Sequence, residues 1–430
     1  MSGGGAGEAL GHALGLAPDL QAALNRALDR TGPVRAELAA VRAANQLKVL
    51  RAFEETGVMD FHLHGTTGYG YADPAREAVE AVYARALGAE AALVAPYLVS
   101  GTHAIAAALF GVLRPGDELV YATGDPYDTL KQVIFGREGE GSLAEFGVDC
   151  RVVPLGPAGE LDLAALASAV GPRTRMVAFQ RSRGYRWAPS RTLADLARGI
   201  AAVRAVRPEI VVFVDNCYGE FVELDEPLAV GADLIAGSLI KNPGGSLAPV
   251  GGYVAGRAEL VRRAAARATA PGIAGAVGPM LDLGRSFLQG FFLAPHFVGE
   301  ALCGAVAAAA FCEEVGLETL PASAEPRSDL VQAVKLGSPD ALIGFCEGIQ
   351  SACAVNAKVR PEPAPLPGYT DAVIMAGGGF VSGATLELSV DAPLRPPFAA
   401  YLQGGLSWEQ VVFGTGRGLQ NLLQKGLLAR

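Results

Sequence analysis

The sequence predicts an α/β fold in which helices cover both faces of a mostly parallel sheet. Between about residues 91 and 256, short apolar runs of strand length alternate with segments whose apolar residues recur at helical spacing. Such alternation is typical of parallel sheets, because parallel neighbours need a crossover between them. Beyond about residue 316 the signals become shorter and indicate a smaller α+β domain. A chain of 430 residues also exceeds one ordinary core, which agrees with two domains.

The first elements in chain order are helical. Apolar residues recur at helical spacing from Leu20 to Thr56, and Gly32-Pro33 predicts a break within this helix. Asp73-Pro74 provides a second helix start, and the pattern continues from Glu77 to Leu87. We assign residues 1–64 to an N-terminal helical segment.

The region that follows supplies the sheet. Its strand-like runs are Ala91–Ala95, Glu118–Tyr121, Cys150–Pro154, Met176–Phe179, Ile210–Val214, Leu234–Ile235 and Gly252–Val254. The helical patterns between them are Thr102–Leu113, Tyr127–Phe135, Leu161–Val170 and Leu193–Val206. Sheets of this kind bind ligands outside the carboxyl ends of their strands, so candidate site residues are expected directly after the apolar runs.

Beyond Gly256 the architecture changes. A basic amphipathic helix is predicted at Arg257–Ala268, and a long alanine-rich helix at Pro295–Val315. The later strand signals are Ala341–Cys346, Ile349–Ala354, Ala372–Ala376 and Thr385–Ser389, and Trp408–Leu428 is largely helical. We therefore place the large domain at residues 65–294, and the long helix with the small domain at residues 295–430.

Composition excludes several classes of function. The net charge of −9 leaves no basic excess for neutralising nucleic-acid phosphates. Six scattered cysteines without a Cys-x-x-Cys pair favour free thiols in a reducing compartment over disulfides or a zinc site. The N-terminus lacks a secretion signal, and uncharged stretches such as Ala372–Leu386 are too short for a membrane span. We expect a soluble cytoplasmic protein that binds neither nucleic acid, membrane nor metal.

Two turns after predicted strands carry candidate binding residues. The run Ser100-Gly101-Thr102 opens a helix, where N–H groups, hydroxyls and the positive helix end suit a phosphate, although such residues are also ordinary helix caps. Tyr127 follows the Glu118–Tyr121 run and offers a flat face to a heteroaromatic ring; the alternative is a half-buried helix residue. We assign His103 no catalytic role.

Two charged residues stand where burial is costly. Asp215 closes the apolar run Ile210–Val214 and needs a cationic partner such as a protonated ring nitrogen, unless it caps a following helix. Lys241 lies between apolar residues after Ser238 and a Pro-Gly-Gly turn, and it is one of six lysines. Because burial favours loss of the ammonium proton, such a lysine is suited to forming a Schiff base.

In combination, a phosphate turn, a stacking aromatic, a strand-end aspartate and a buried lysine resemble the pyridoxal-phosphate enzymes of the aspartate-aminotransferase fold. A closer resemblance, to the aluminium resistance or methionine-γ-lyase-like proteins of the Cys/Met metabolism group, rests on Tyr97–Ile105, Gln180–Tyr185, Gly237–Gly245 and Tyr401–Leu406. The resemblance implies a three-layer αβα large domain with a seven-stranded sheet, pyridoxal 5′-phosphate as the cofactor, and a homodimer or homotetramer.

The resemblance also implies roles by position. Lys241 would hold the cofactor as an internal aldimine and move the substrate α-proton. Asp215 would keep the pyridine nitrogen protonated, and Tyr127 would stack on the ring and assist departure of the leaving group. The residues that would bind the phosphate are Ser100, Gly101, Thr102 and Ser238. The candidate substrate contacts are Arg395, for the carboxylate, and Arg183, Tyr69 and Tyr71.

Departures from the better-known lyases leave the substrate and the reaction open. Ile240 stands where those enzymes have threonine, the arginine of their Tyr-x-Arg phosphate clamp is missing, and so is the asparagine near the ring hydroxyl, for which Arg181 or Arg183 could substitute. The resemblance implies a carbon–sulfur lyase that converts a methionine-, cystathionine- or cysteine-like amino acid to a 2-oxo acid and ammonia. The alternatives are an aminotransferase, racemase or aldolase with the same cofactor, and a non-catalytic stress-response protein.

Overall fold

The computed structural model describes Gly11, residues 13–366 and residues 369–428, and the chain divides into two compact units. The large unit comprises residues 44–183 and 190–294. The C-terminal unit comprises residues 184–189 and the chain from 295 onward, together with the chain up to residue 43. Helix α1, Pro18–Thr56, therefore contributes residues to both units.

The large unit is built on a seven-stranded sheet. Its further elements are α2 (Pro74–Leu87), β1 (Ala91–Ala95), α3 (Gly101–Val112), β2 (Glu118–Tyr121), α4 (Asp128–Phe135), β3 (Asp149–Val152), α5 (Leu163–Ala169), β4 (Thr174–Gln180), α6 (Leu193–Val206), β5 (Val211–Asp215), β6 (Leu234–Ser238), β7 (Gly252–Gly256) and α7 (Ala258–Ala268). The strand order is β1-β7-β6-β5-β4-β2-β3. β7 pairs antiparallel with β1 and β6, and the remaining neighbours pair in parallel. The predicted, mostly parallel sheet is confirmed.

Successive residues of the central strands face different helices. Met176 and Ala178 of β4 belong to the apolar core that also contains Ile105 of α3 and Ala264 of α7. Phe179 points to the other face, where a Cβ on Gly199 of α6 would approach the Phe179 ring to 2.7 Å. Since strand side chains alternate between faces, helices cover both sides of the sheet. This is the predicted three-layer arrangement.

The C-terminal unit contains a five-stranded antiparallel sheet. Its elements are α8 (Gly284–Glu314, which begins in the large unit), β8 (Glu318–Leu320), β9 (Gln332–Lys335), α9 (Pro339–Gln350), β10 (Val373–Gly377), β11 (Ser389–Pro393), β12 (Ala399–Gln403) and α10 (Trp408–Gln424). The strand order is β10-β11-β12-β9-β8, with antiparallel pairing. Phe345 of α9 and Leu419 of α10 share one apolar core with Val390 of β11.

Three strand predictions in this unit are wrong. The predicted strand Thr385–Ser389 overlaps β11 only at Ser389, and the other two lie wholly or partly in a helix. Ala341–Cys346, and the first residues of the run Ile349–Ala354, lie in helix α9. The Ser338 hydroxyl accepts a hydrogen bond from the Ala341 N–H, and Pro339 occupies the first helical turn. A short apolar run does not distinguish a strand from a buried helix, and here the helix start directly before the run decides the conformation.

The two long helices also differ from the sequence prediction. α1 continues through Pro33, and α8 begins at Gly284 instead of Pro295. By length and composition α8 could cross a membrane, since its mean hydropathy is 1.5 over an 18-residue window, but 67% of that window is buried inside the protein. Phe291, for example, stacks on Tyr83 with 3.8 Å between the ring centroids. Packing against protein therefore accounts for the apolar sequence of this helix.

Asp73 anchors the loop that precedes α2. Its Oδ1 accepts the N–H groups of Ala75 and Arg76 at the start of the helix. Its Oδ2 accepts the Thr66 N–H at 2.8 Å, the Thr66 hydroxyl at 2.6 Å and the Met280 N–H at 3.0 Å. Burial alone would raise the pKa of Asp73, but these hydrogen bonds hold it below its ordinary value. One carboxylate therefore joins three segments of the large unit.

We expect Asp73→Asn to destabilise the protein by about 2–3 kcal/mol, because the amide nitrogen would replace Oδ2 and face donors instead of accepting from them. Asp162→Asn is the matched control: Asp162 caps α5 with one bond, from the Ala165 N–H, and asparagine caps equally well. The pKa of Asp73 is lower in the folded protein than in the unfolded chain. The stability that its carboxylate contributes is therefore complete above the ordinary pKa of an aspartate and is lost as the pH falls through the lowered pKa. Urea unfolding at several pH values measures both variants, and equal losses would contradict this role.

Candidate active site

The candidate site lies at the carboxyl edge of the large unit's sheet. β5 ends at Asp215 and its parallel neighbour β6 ends at Ser238, with Asp215 paired to Ala236. Lys241 follows β6 directly before a short 3-10 turn, Asn242–Gly244. Because parallel strands end at the same edge, the fold brings the strand-end aspartate and the lysine into one neighbourhood.

The start of α3 joins this neighbourhood at Gly101. A Cβ on Gly101 would lie 3.0 Å from Ser238 Cβ and 3.3 Å from Cys217 Sγ. Both contacts are tighter than a side chain can adopt without displacing its neighbours. Glycine therefore allows the helix start to approach the end of β6 and the turn after β5.

The predicted phosphate turn has two free donors. The Ser100 hydroxyl accepts from the His103 N–H at 3.0 Å and so caps α3, the alternative that the sequence left open. In the part of the chain that the structure describes, the N–H groups of Gly101 and Thr102 have no acceptor. They lie at the positive end of the helix, where N–H groups and the helix dipole favour an anion.

Tyr127 lies beside this turn. Its hydroxyl is 3.1 Å from Thr102 Oγ1, and its backbone forms the N-cap of α4. Burial raises the pKa of Tyr127 well above its ordinary value, and the charges of nearby Asp215 and Cys217 raise it further. The tyrosine is therefore a neutral hydroxyl at physiological pH, close to the strand-end aspartate.

Burial removes most of the hydration that would stabilise the charge of the Asp215 carboxylate. It is 4% exposed, and its Oδ1 accepts the Cys217 N–H at 3.1 Å. Burial raises its pKa, although the positive charge of Lys241 and the Cys217 N–H act in the opposite direction. The residues after Asp215 form turns and not a helix, so it serves as no helix cap. A cationic ligand would stabilise its charged form.

Lys241 is held against an aromatic ring. Its Nζ lies 3.9 Å from the centroid of the Tyr218 ring. Burial alone would lower the pKa of Lys241, but the charges of Cys217, Tyr218, Asp215 and Glu220 in their ionised forms raise it above its ordinary value. Burial alone therefore does not decide the protonation of this amine, and its suitability for a Schiff base stays a prediction.

The turn after β5 is clamped by Arg181, whose side chain is fully buried. Arg181 donates to Asn216 Oδ1, to Gly219 O and to Glu223 Oε1, each at 2.9 Å. Buried arginines need partners for their donors, and these bonds use both terminal nitrogens of Arg181 on the protein itself, although its buried Nε has no partner among the described residues. Arg181 therefore fixes the turn and is not available to bind a substrate anion.

Arg183, Arg395, Tyr69 and Tyr71 remain predictions as substrate contacts. Arg183 is buried and donates from Nε to Ser190 Oγ at 3.1 Å. Arg395 belongs to the C-terminal unit, between β11 and β12, and forms an ion pair of 3.0 Å with Asp371. The rings of Tyr69 and Tyr71 are 5.7 Å apart on the loop that Asp73 anchors, and both are largely exposed.

The chain matches the methionine gamma-lyase family model over residues 20–423. It belongs to this family. The uncharacterized protein YnbB of Bacillus subtilis is 46% identical over 397 residues, which cover 92% of this chain and 94% of YnbB. The L-methionine gamma-lyase of Pseudomonas putida is 35% identical over 191 residues, 44% of this chain and 43% of that enzyme. The predicted family is confirmed.

Solved structures of family members are similar over nearly the whole chain. A putative cystathionine beta-lyase involved in aluminum resistance from Listeria monocytogenes is 47% identical, with a TM-score of 0.91, and the match covers 93% of this chain and 99% of that one. The corresponding protein from Clostridium acetobutylicum is 42% identical with a TM-score of 0.93, over 96% and 98% of the two chains.

The residues of this methionine γ-lyase family member suit pyridoxal 5′-phosphate, the cofactor that the family uses. Lys241 would supply a primary amine for its aldehyde, and Asp215 would supply a buried carboxylate for its pyridinium nitrogen. The free N–H groups of Gly101 and Thr102, with the nearby hydroxyl of Ser238, suit its phosphate. Among the described residues, no cluster of three or more metal-ligating side chains occurs.

A second buried group beside Lys241 escaped the sequence analysis. Glu220 is fully buried, and its Oε1 accepts the Tyr253 hydroxyl at 2.8 Å. Asn242, next to Lys241, donates to the Glu220 backbone oxygen at 2.9 Å. Burial raises the pKa of Glu220 to about 8, although Tyr253 and Lys241 oppose this. The only sequence signal was a charged residue placed shortly after a strand that is apolar throughout.

We expect Glu220→Gln to remove a pH dependence of stability from the cofactor-free protein. A carboxyl whose pKa is raised in the folded state contributes stability below its unfolded pKa of 4.5, and this is lost as the pH rises towards 8. Relative to the wild type, the variant should therefore gain stability as the pH rises from 4.5 to 8, by at most about 5 kcal/mol.

Chemical unfolding between pH 4.5 and 8 measures the difference in the free energy of unfolding. Glu54→Gln, on an exposed position of α1, is the control, and parallel curves for all three proteins would refute the interpretation.

Proposed function

We propose that the chain is a pyridoxal-phosphate-dependent carbon–sulfur lyase acting on a sulfur amino acid. The observation that carries this proposal is the placement of Asp215 and Lys241 at one sheet edge, beside the free N–H groups of the α3 start. Membership of the methionine γ-lyase family supports the reaction class. The products would be a 2-oxo acid and ammonia.

Each residue has a separate task in this proposal. When bound, pyridoxal phosphate supplies an electron sink for negative charge that develops on the substrate α-carbon. Asp215 keeps the ring nitrogen protonated, because a buried carboxylate strongly favours a cationic partner. Gly101 and Thr102 bind the phosphate through their N–H groups at the helix start. Ser238 adds a hydroxyl from the end of β6.

Proton transfer falls to Lys241. Its Nζ takes the proton from the substrate α-carbon, and the same atom can return a proton later in the reaction. The hydroxyl of Tyr127 is the second candidate donor, since burial keeps it protonated and Thr102 orients it. Such a hydroxyl is suited to protonating a departing thiolate, because its proton is retained at physiological pH until a basic group develops nearby.

The class of substrate comes from the relatives. The named activities are those of L-methionine gamma-lyases, of a putative cystathionine beta-lyase and of a cystathionine gamma-synthase from Mycobacterium leprae. All of these names refer to amino acids with sulfur at the β- or γ-carbon. We therefore propose that this chain cleaves such a carbon–sulfur bond. Transamination, racemisation and aldol cleavage are the competing outcomes of the test.

The first test uses purified protein, pyridoxal phosphate and a panel of sulfur amino acids. The wild type should release pyruvate or 2-oxobutyrate with ammonia in the absence of an amino acceptor. Lys241→Ala should lose the visible absorbance of the lysine-bound cofactor and at least about 10³-fold in kcat/KM, because the proton-transferring amine is gone. Lys131→Ala is the control, since Lys131 is a surface residue paired with Asp125. Unchanged absorbance in Lys241→Ala would refute the assignment.

Asp215→Asn tests the electrostatic half of the site. The amide has nearly the same shape but carries no charge, so it should bind the cofactor and yet lower kcat by about 10²-fold or more, because the ring nitrogen loses its charged partner. The cofactor's affinity, followed by fluorescence, and kcat are measured on the same preparation. A variant with wild-type kcat would show that Asp215 has no electrostatic role.

A further inference from the structure

The turn that follows β5 contains a strained aromatic residue. Tyr218 has a φ of 70°, in the left-handed region that side chains rarely adopt. A bulky residue adopts this conformation only at an energetic cost, although a glycine, which would adopt it freely, stands at the next position. Backbone strain of this kind persists only where the surrounding structure enforces it, and it concentrates at functional sites.

The surroundings of Tyr218 do enforce the conformation. The Gly219 N–H donates to Asn216 O at 2.9 Å, and the Asn216 N–H donates to Ala236 O of β6 at 3.0 Å. Arg181 donates to Gly219 O from the other side. The residues on both sides of Tyr218 are therefore fixed to the sheet and to a buried arginine, and these bonds offset the strain.

The conformation places the Tyr218 ring under Lys241, 3.9 Å from Nζ to the ring centroid. Ammonium groups are attracted to the face of an aromatic ring, more strongly when water is excluded. A free lysine side chain has considerable rotamer entropy, so this contact offsets part of the cost of fixing the amine at one point. A neutral amine gains no comparable attraction.

We propose that Tyr218 is a positioning residue for Lys241, which its ring face holds in place as the ammonium until the cofactor is captured. The inference rests on the proposed role of Lys241. The other groups whose charges act on the amine are Cys217, Asp215 and Glu220, and all three lie in or directly before the same turn. At physiological pH the Cys217 thiol is neutral, because burial raises its pKa well above the ordinary value. This leaves the ring as a contact that favours the ammonium without contributing a charge.

The test measures the ionisation of Lys241 without cofactor, so its result does not depend on the proposed reaction. Full-length protein stripped of cofactor is labelled with trace acetic anhydride from pH 7 to 10, and mass spectrometry compares Lys241 with the other five lysines. Tyr218→Leu keeps the Cβ and hence the strain but removes the ring. We expect the apparent pKa of Lys241 to fall by about one unit, which corresponds to about tenfold more labelling at a pH below both pKa values.

Two further variants keep the test decisive. Tyr218→Phe retains the ring face and should label like the wild type. Tyr218→Gly relieves the strain, so it should remain folded by thermal unfolding while labelling like Tyr218→Leu. Wild-type labelling in the Leu and Gly variants, or Leu-like labelling in Tyr218→Phe, would overturn the role of the ring. If these results hold but Lys241→Ala still gives the cofactor's absorbance, the proposed function fails and the positioning of the amine stands.

Discussion

Two opposite charges at the carboxyl edge of the sheet are the constraint on which the site depends. Asp215 ends β5, and Lys241 follows the end of β6. Each loses hydration through burial, and each charge makes burial of the other less costly. The parallel pairing of β5 with β6 brings the two together through backbone hydrogen bonds, so the proximity does not depend on side-chain packing.

The segment after Lys241 packs closely because two of its residues, Gly244 and Gly245, have no side chains. A Cβ on Gly244 would lie 1.6 Å from Leu239 O, and a Cβ on Gly245 would lie 2.0 Å from Gly290 O of α8. Gly245 also has a φ of 54°. A side chain at Gly245 would push the chain away from α8, and one at Gly244 would collide with the Leu239 carbonyl oxygen, so either would move the segment that carries the lysine. The Pro-Gly-Gly run is therefore a close-packing element as well as a turn.

Much of this architecture could be predicted because it follows from local patterns. Alternating strands and helices predict a mostly parallel sheet, and strand ends identify the edge at which Asp215, Lys241 and the α3 start converge. The strand order and the antiparallel entry of β7 could not be predicted, since both arise from pairings between distant segments. Helix α9 was mistaken for strands because its apolar run is too short to show a period.

The chemistry of Lys241 illustrates why the rest of the site could not be predicted. From sequence, the visible influences on the pKa of the amine are burial, which lowers it, and the expected proximity of Asp215, which raises it. The structure adds Tyr218, placed beneath the amine by a positive φ, and Glu220, brought near by a turn that Arg181 clamps. Neither position is encoded in spacing or residue type, and the charges of Cys217, Tyr218, Asp215 and Glu220 in their ionised forms all oppose the effect of burial on the pKa of Lys241. For the role that we propose for Lys241, the amine would lose its proton when a ligand takes up the charge of Asp215.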